Sequence, residues 1–206
     1  MSSTPGTKAL TSIQTENERP LRSDARRNRE RILDGAREVF AQCGIDAQMD
    51  DVARRAGVGV GTVYRHFPTK EALLGELVRQ KFRIFAENAR TALHREGEPF
   101  AIFADLLRRN AEVCARDAAI QHAITGFGEH ISLHAQDELN ELYQPTAELI
   151  GRAQRAGAMR ADITVHDIPM LMCGVSATMA QTGPGFDWHR HLELVIDMLR
   201  ACPRAR

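Results

Sequence analysis

The stretch Arg54 to Lys70, "RRAGVGVGTVYRHFPTK", sets three glycines directly before Tyr64, Arg65 and His66, with Lys70 just beyond a proline. A phenol, a guanidinium, an imidazole and an amine are all donors suited to phosphate oxygens, and a guanidinium can also fork onto O6 and N7 of a guanine. A second pattern points elsewhere. His130 and His134, in "EHISLH", stand four residues apart, so a helix would carry both imidazoles on one face, as a metal pair requires. The sequence is not His-Glu-x-x-His, and neither a third ligand nor a nucleophile with its base stands at sensible spacing. No catalytic residue, metal or cofactor is therefore assigned, and a metal-dependent enzyme is the weakest alternative. His189 and His191, two apart, would face different sides of a helix.

These groups need elements to hold them. Of 206 residues, 43% are apolar and 26% charged, and alternating runs of Val, Ile, Thr and Tyr are missing, so an all-α class is expected. Ile32, Leu33, Ala36, Val39 and Phe40 recur at helical spacing, and Gly44 follows to stop that helix. Its other side carries Arg26, Arg27, Arg29, Arg31 and Arg37, a solvated face or, at the helix start, a phosphate contact. A short helix over Asp50 to Ala56 would bury Val52, Ala53 and Ala56, the small Ala53 allowing close approach. Gly57 can take the left-handed conformation without steric penalty, so the chain can turn there. A third helix, from about Gly59 to His66, would bury Val63 and Phe67. Thr69 is a suitable cap for a longer helix reaching His94. Residues 1 to 20 are polar and without periodicity, and read as a tail.

These features together make a helix-turn-helix whose third helix would enter a major groove. The pattern Val52-Ala53, Ala56-Gly57-Val58, Gly61-Thr62-Val63-Tyr64, His66-Phe67 and Lys70 resembles the tetracycline-repressor (TetR) family of transcriptional regulators. That resemblance covers roughly residues 26 to 74. It implies a three-helix DNA-binding domain over 21–70 and a helical effector-binding and dimerisation domain over 71–206. By the same resemblance, Thr62 and Arg65 would reach base edges, and Tyr64, His66 and Lys70 would reach phosphates. Arg26, Gln48, Gly59 and Gly61 complete the expected contact set. Two positions depart from the family pattern: Gln48 stands where Ser or Thr usually caps the second helix, and Gly59 where Ser caps the third. Gly61 inside a helix costs about 1 kcal/mol relative to Ala, which close approach of DNA to its backbone would offset.

Beyond Pro99, helices are expected near Phe100 to Arg116, Asp117 to Ile124, Gln136 to Ala156, Asp167 to Gln181 and Asp187 to Ala201. Polar exceptions in apolar stripes suggest an effector pocket from Phe103, Asn110, Tyr143 and Thr146, with His122, Phe127 and Met172 as weaker members; a filled core with Asn110 and Thr146 satisfied internally is the competing reading. Pro145 lies within one of these helices, where it removes a backbone bond. The last two helices carry apolar stripes, Leu171, Val175 and Met179 on one, and Trp188, Leu192, Val195, Ile196 and Leu199 on the other. Burial within one chain explains such stripes as well as pairing does; the family resemblance favours a homodimer interface.

Residues 1 to 70 hold twelve Lys and Arg against nine Asp and Glu, and the rest holds 15 against 18, so a net charge of zero hides a more basic N-terminal part. Four widely spaced cysteines without a CxxC or a secretory leader suit a cytoplasmic protein. The apolar run from Ile168 to Phe186, broken by Thr-Gly-Pro-Gly, is too short for a membrane span. The resulting expectation is a regulator, more repressor than activator, that binds a palindromic operator on double-stranded DNA as a dimer and is released by a small-molecule effector. The alternative is a DNA-binding protein that takes no effector.

Overall fold

A computed structural model of the chain describes residues 10–116, 135–181, 183 and 185–201, with backbone alone for 10–22 and Ile45. Its described regular elements are helices: α1 (Leu10–Cys43), α2 (Met49–Ala56), α3 (Val60–His66), α4 (Lys70–Leu93), α5 (Pro99–Arg116), α6 (Gln136–Arg155), α7 (Asp167–Met179) and α8 (Trp188–Met198), with a 3-10 turn at Gly44–Asp46. The all-α expectation holds. Boundaries fall within two or three residues of those expected, except at the start of α1. That helix begins at Leu10, not near Arg22, so half of the segment read as a tail is helical. An established helix gains one backbone bond per added residue without needing an apolar stripe, which is the only signal that periodicity detects. The helix expected over Asp117 to Ile124 lies outside the described residues.

Each early boundary has a local cause. Gly44 sits at φ 56° and ends α1, and the Thr69 hydroxyl accepts the Ala72 amide at 3.1 Å to open α4. Pro99 begins α5 where its missing N–H is no loss, and the Glu98 carboxylate accepts the amides of Phe100 (2.9 Å) and Ala101 (2.6 Å). Asp187 caps α8 through the amides of His189 and Arg190.

Packing follows the apolar stripes into two clusters. The first joins Ile32, Leu33, Ala36 and Phe40 of α1 to Val52 and Ala53 of α2, Val63 and Phe67 at α3, and Leu73, Leu74, Leu77 and Val78 of α4. A second gathers Ala89 and Ala92 of α4 with Phe100, Phe103 and Leu107 of α5, Leu149 and Ile150 of α6, Val175 of α7, and Leu192, Val195 and Ile196 of α8. The 24 residues of α4, roughly 36 Å at 1.5 Å per residue, therefore contribute to both. An antiparallel bridge, Met159 to Arg200, ties the end of α8 back to the loop after α6.

Candidate nucleic-acid interface

The corner between α2 and α3 is closed by backbone bonds at a glycine. Gly57 adopts φ 63° and ψ 41°; its N–H reaches the Arg54 carbonyl at 3.3 Å, and the Val58 N–H reaches the Ala53 carbonyl at 3.1 Å. This is the left-handed helix ending that glycine tolerates best. Arg31 of α1 donates to the Gly57 carbonyl at 2.9 Å, so an exposed side chain of the basic stripe also buttresses the turn. Beneath the corner, Gly35 of α1 is buried and a Cβ there would lie 3.0 Å from the Ala56 amide nitrogen. Close approach was expected at Ala53, which is buried, and a further close contact falls at Gly35, where two backbones meet. Nothing in periodicity distinguishes that glycine from any other mid-helix residue.

From this corner α3 emerges with one face packed and the other open. Val63 is fully buried, while Val60, Tyr64 and Arg65 are exposed and Thr62 and His66 half-buried. Gly61 is exposed, and a Cβ built on it would meet no protein atom within 4 Å. The fold itself thus has no steric need for glycine there. Gly59 precedes the helix in extended conformation, its carbonyl accepting the amides of Thr62 (2.8 Å) and Val63 (3.3 Å).

A shallow cleft of about 600 Å³ runs beside α3, lined by Gln48, Met49, Asp50, Asp51, Tyr64, Pro68, Thr69 and Lys70. It brings together the starts of α2 and α4, where helix dipoles favour an anion, with Tyr64 and Lys70. Asp50 and Asp51 act against that. Gln48 occupies the cap position of α2 with no capping bond; its amide donates instead to the Asp46 carbonyl at 2.7 Å. Lys70 holds its ammonium 5.7 Å from the centre of the Phe40 ring. Arg26 is highly exposed and lies 3.8 Å from Glu30.

His66 differs from its neighbours. Its Nε2 is buried with no hydrogen-bond partner among the described residues. Burial first, then the charges of Arg65 and Arg29, hold its pKa below the ordinary histidine value. The ring lies 6.5 Å, centre to centre, from that of Phe67.

The C-terminal expectations fare less evenly. Thr146 donates to the Leu142 carbonyl at 2.7 Å and Asn110 accepts from Asn88 at 2.9 Å, so both polar exceptions have protein partners. Phe103 is fully buried, Met172 packs partly buried against the same cluster, and Tyr143 meets the His166 ring edge-on at 5.1 Å. A cleft of about 310 Å³ near the foot of α5 is lined by Arg37, Leu77, Gln80, Lys81, Ile84, Val113 and Arg116, none of them an expected pocket residue. His122 and Phe127 lie outside the described residues, as do His130 and His134. Among the described residues no group of three His, Cys, Asp or Glu side chains could hold a metal.

Five of the eight expected interface residues turn inward. Val175, Leu192, Val195, Ile196 and Leu199 are buried in the protomer's own core, and Leu171, Met179 and Trp188 pack partly against it. A helix turns its most continuous apolar stripe toward its own core first. What remains outside is Met170, 66% exposed on α7, and Leu194 and Met198, each 50% exposed on α8. The two helices are joined by the Thr178 hydroxyl and His191 Nδ1, 2.7 Å apart.

Residues 32–77 match the family described as bacterial regulatory proteins, tetR family, and residues 98–201 match the C-terminal domain of SbtR-like transcriptional regulators. The repressor KstR of Mycolicibacterium smegmatis is 31% identical over 198 residues, which span 92% of this chain and 96% of that protein. A TetR transcription regulatory protein from Mycobacterium vanbaalenii is 37% identical, with a TM-score of 0.60 over 88% of this chain and all of its own. Thermus thermophilus FadR, a repressor solved with lauroyl-CoA, is 25% identical, with a TM-score of 0.57 over 86% of this chain and 98% of its own.

Proposed function

The chain belongs to the TetR family of bacterial regulatory proteins, and from that membership we propose that it represses transcription by inserting α3 into the major groove of a two-fold operator. The observation that carries this reading is the division of α3: Val63 is buried, whereas Tyr64, Arg65 and the backbone at Gly61 stand open. Arg65 reads a base edge; Tyr64 and Lys70 fix register on the phosphates. His66 packs from beneath through its buried Nε2 side.

Two copies are needed to place two such helices one duplex turn, about 34 Å, apart. Met170, Leu194 and Met198 form the apolar centre of the pairing surface, with Cys173 and Ala177 alongside them on the exposed face of α7. An effector held among α4 to α8 favours a head spacing that no longer matches the grooves. Acyl-CoA thioesters are the first class to test, because lauroyl-CoA occupies Thermus thermophilus FadR. No helix among the described residues is long and apolar enough to cross a membrane. A cytoplasmic location completes the reading.

The test is a duplex selected by the protein from a random-sequence pool, titrated at several salt concentrations. Affinity should fall steeply with salt, and Arg65→Ala should blunt sequence preference more than Lys70→Ala. Affinity independent of salt would reject the phosphate contacts. A regulator without an effector is the second reading, favoured by the internal bonds of Thr146 and Asn110. It predicts no loss of duplex binding with acyl-CoA or any other metabolite tried.

A further inference from the structure

Glu76 lies in the N-terminal half of α4 with 3% of its surface exposed, and carboxylates are almost never buried so deeply without partners. It has three. Arg29 of α1 approaches its Oε2 at 3.0 Å, Arg79 reaches the same oxygen at 2.6 Å, and Arg83 lies 3.6 Å from its Oε1. Two of these guanidiniums continue outward. Arg29 stacks over the Phe67 ring, 5.2 Å from its centre, at the residue where α3 ends. Arg83 also binds Glu138 of α6 at 2.6 Å, and that carboxylate is itself mostly buried. A continuous charged path therefore runs from the end of the recognition helix to the first turn of α6.

An ordinary structural ion pair would need neither the second carboxylate nor the cation against Phe67. Apolar contacts between α1 and α4 already close the first cluster without Glu76. What the carboxylate adds is direction, because charged donors converging on its two oxygens from α1 and from α4 tie those elements to one point, where aliphatic packing leaves orientation looser. The geometry points to Glu76 as a positioning residue for DNA recognition: through Arg29 it orients the Phe67 end of α3, and through Arg83 and Glu138 it registers that end against α6. The inference rests on the reading of α3 as the recognition helix only for its consequence on DNA, not for the mechanical link itself.

The experiment uses the full chain and two readouts, amide hydrogen exchange at residues 63–67 without DNA, and affinity for the duplex that the wild type selects from a random pool. Glu138→Gln breaks the path outside the first cluster and so spares its core. It should speed exchange at 63–67 about threefold to tenfold and weaken the duplex by a similar factor, while amides of α2 stay unchanged. Glu76→Gln should do the same more strongly. Arg83→Lys, which keeps a cation between the two carboxylates, should restore most of the protection that Arg83→Met loses. Unchanged exchange at 63–67 in Glu138→Gln and Arg83→Met would overturn the proposal. Changed exchange with no duplex bound by any variant or by the wild type would keep the link and discard the DNA reading.

Discussion

Gly35 of α1 and Ala56 of α2 meet backbone to backbone: a methyl group on Gly35 would stand 3.0 Å from the Ala56 nitrogen and 3.2 Å from its Cβ. The contact sets how closely the first helix lies under the corner. Gly35→Ala gains about 1 kcal/mol of helix propensity but forces a well-packed pair apart, at a cost of about 1–3 kcal/mol. A net loss of roughly 1 kcal/mol in urea unfolding is expected, larger for Gly35→Val. An Ala variant as stable as the wild type would mean that α1 can back away freely.

Gly61 presents the opposite case. Because no atom of the described residues lies within 4 Å of a Cβ built there, Gly61→Ala should raise stability by about 1 kcal/mol. The added methyl would still stand between α3 and a bound duplex. Weaker DNA binding in a more stable protein is the expected pair of results. An Ala variant that binds as tightly as the wild type would show that no DNA comes near this backbone.

Leu194 and Met198 sit one turn apart, half-exposed, on α8. Leu194→Glu should leave the folded protomer intact, since the side chain contributes nothing to the second cluster. It should, however, shift sedimentation from dimer to monomer at micromolar concentration. A wild type already monomeric there removes the two-fold model, whereas a dimeric Leu194→Glu moves the interface elsewhere.

Acid should act through Glu76. Burial pulls its carboxyl upward, yet hydrogen bonds from Arg79 and Arg29 and their charges overcome this, leaving the pKa below the ordinary carboxylate value. The folded state thus binds the proton less readily than the unfolded chain. Its stabilisation is full above the unfolded pKa, about 4.3, and is lost as pH falls through the lower folded value. Unfolding free energy measured from pH 6 downward should fall less steeply in Glu76→Gln. Parallel acid limbs would place the titration elsewhere.

Much of this organisation was legible in the chain itself, and the exceptions share a cause. The helix-turn-helix could be read because Gly57, Val58 and Val63 act locally: a glycine that must be left-handed and apolar residues at fixed spacing. Tertiary partners leave no such trace. Arg29, Arg31 and Arg37 look alike on one polar stripe, yet Arg29 meets a buried carboxylate and Arg31 a turn carbonyl. The final two helices mislead for a related reason, since Val175 and Ile196 read equally well as core or as interface. Only burial within the protomer separates them. The early start of α1 escaped because helix propagation needs no apolar pattern.

The run of α4 through both clusters has a calorimetric consequence. Because α4 lends side chains to both clusters, loss of either one strips packing from the helix that the other needs, so heat should be absorbed in one transition, not two. A substitution confined to Leu74 or to Ala89 would then lower the same melting temperature, and a protease would find few half-open molecules to cut.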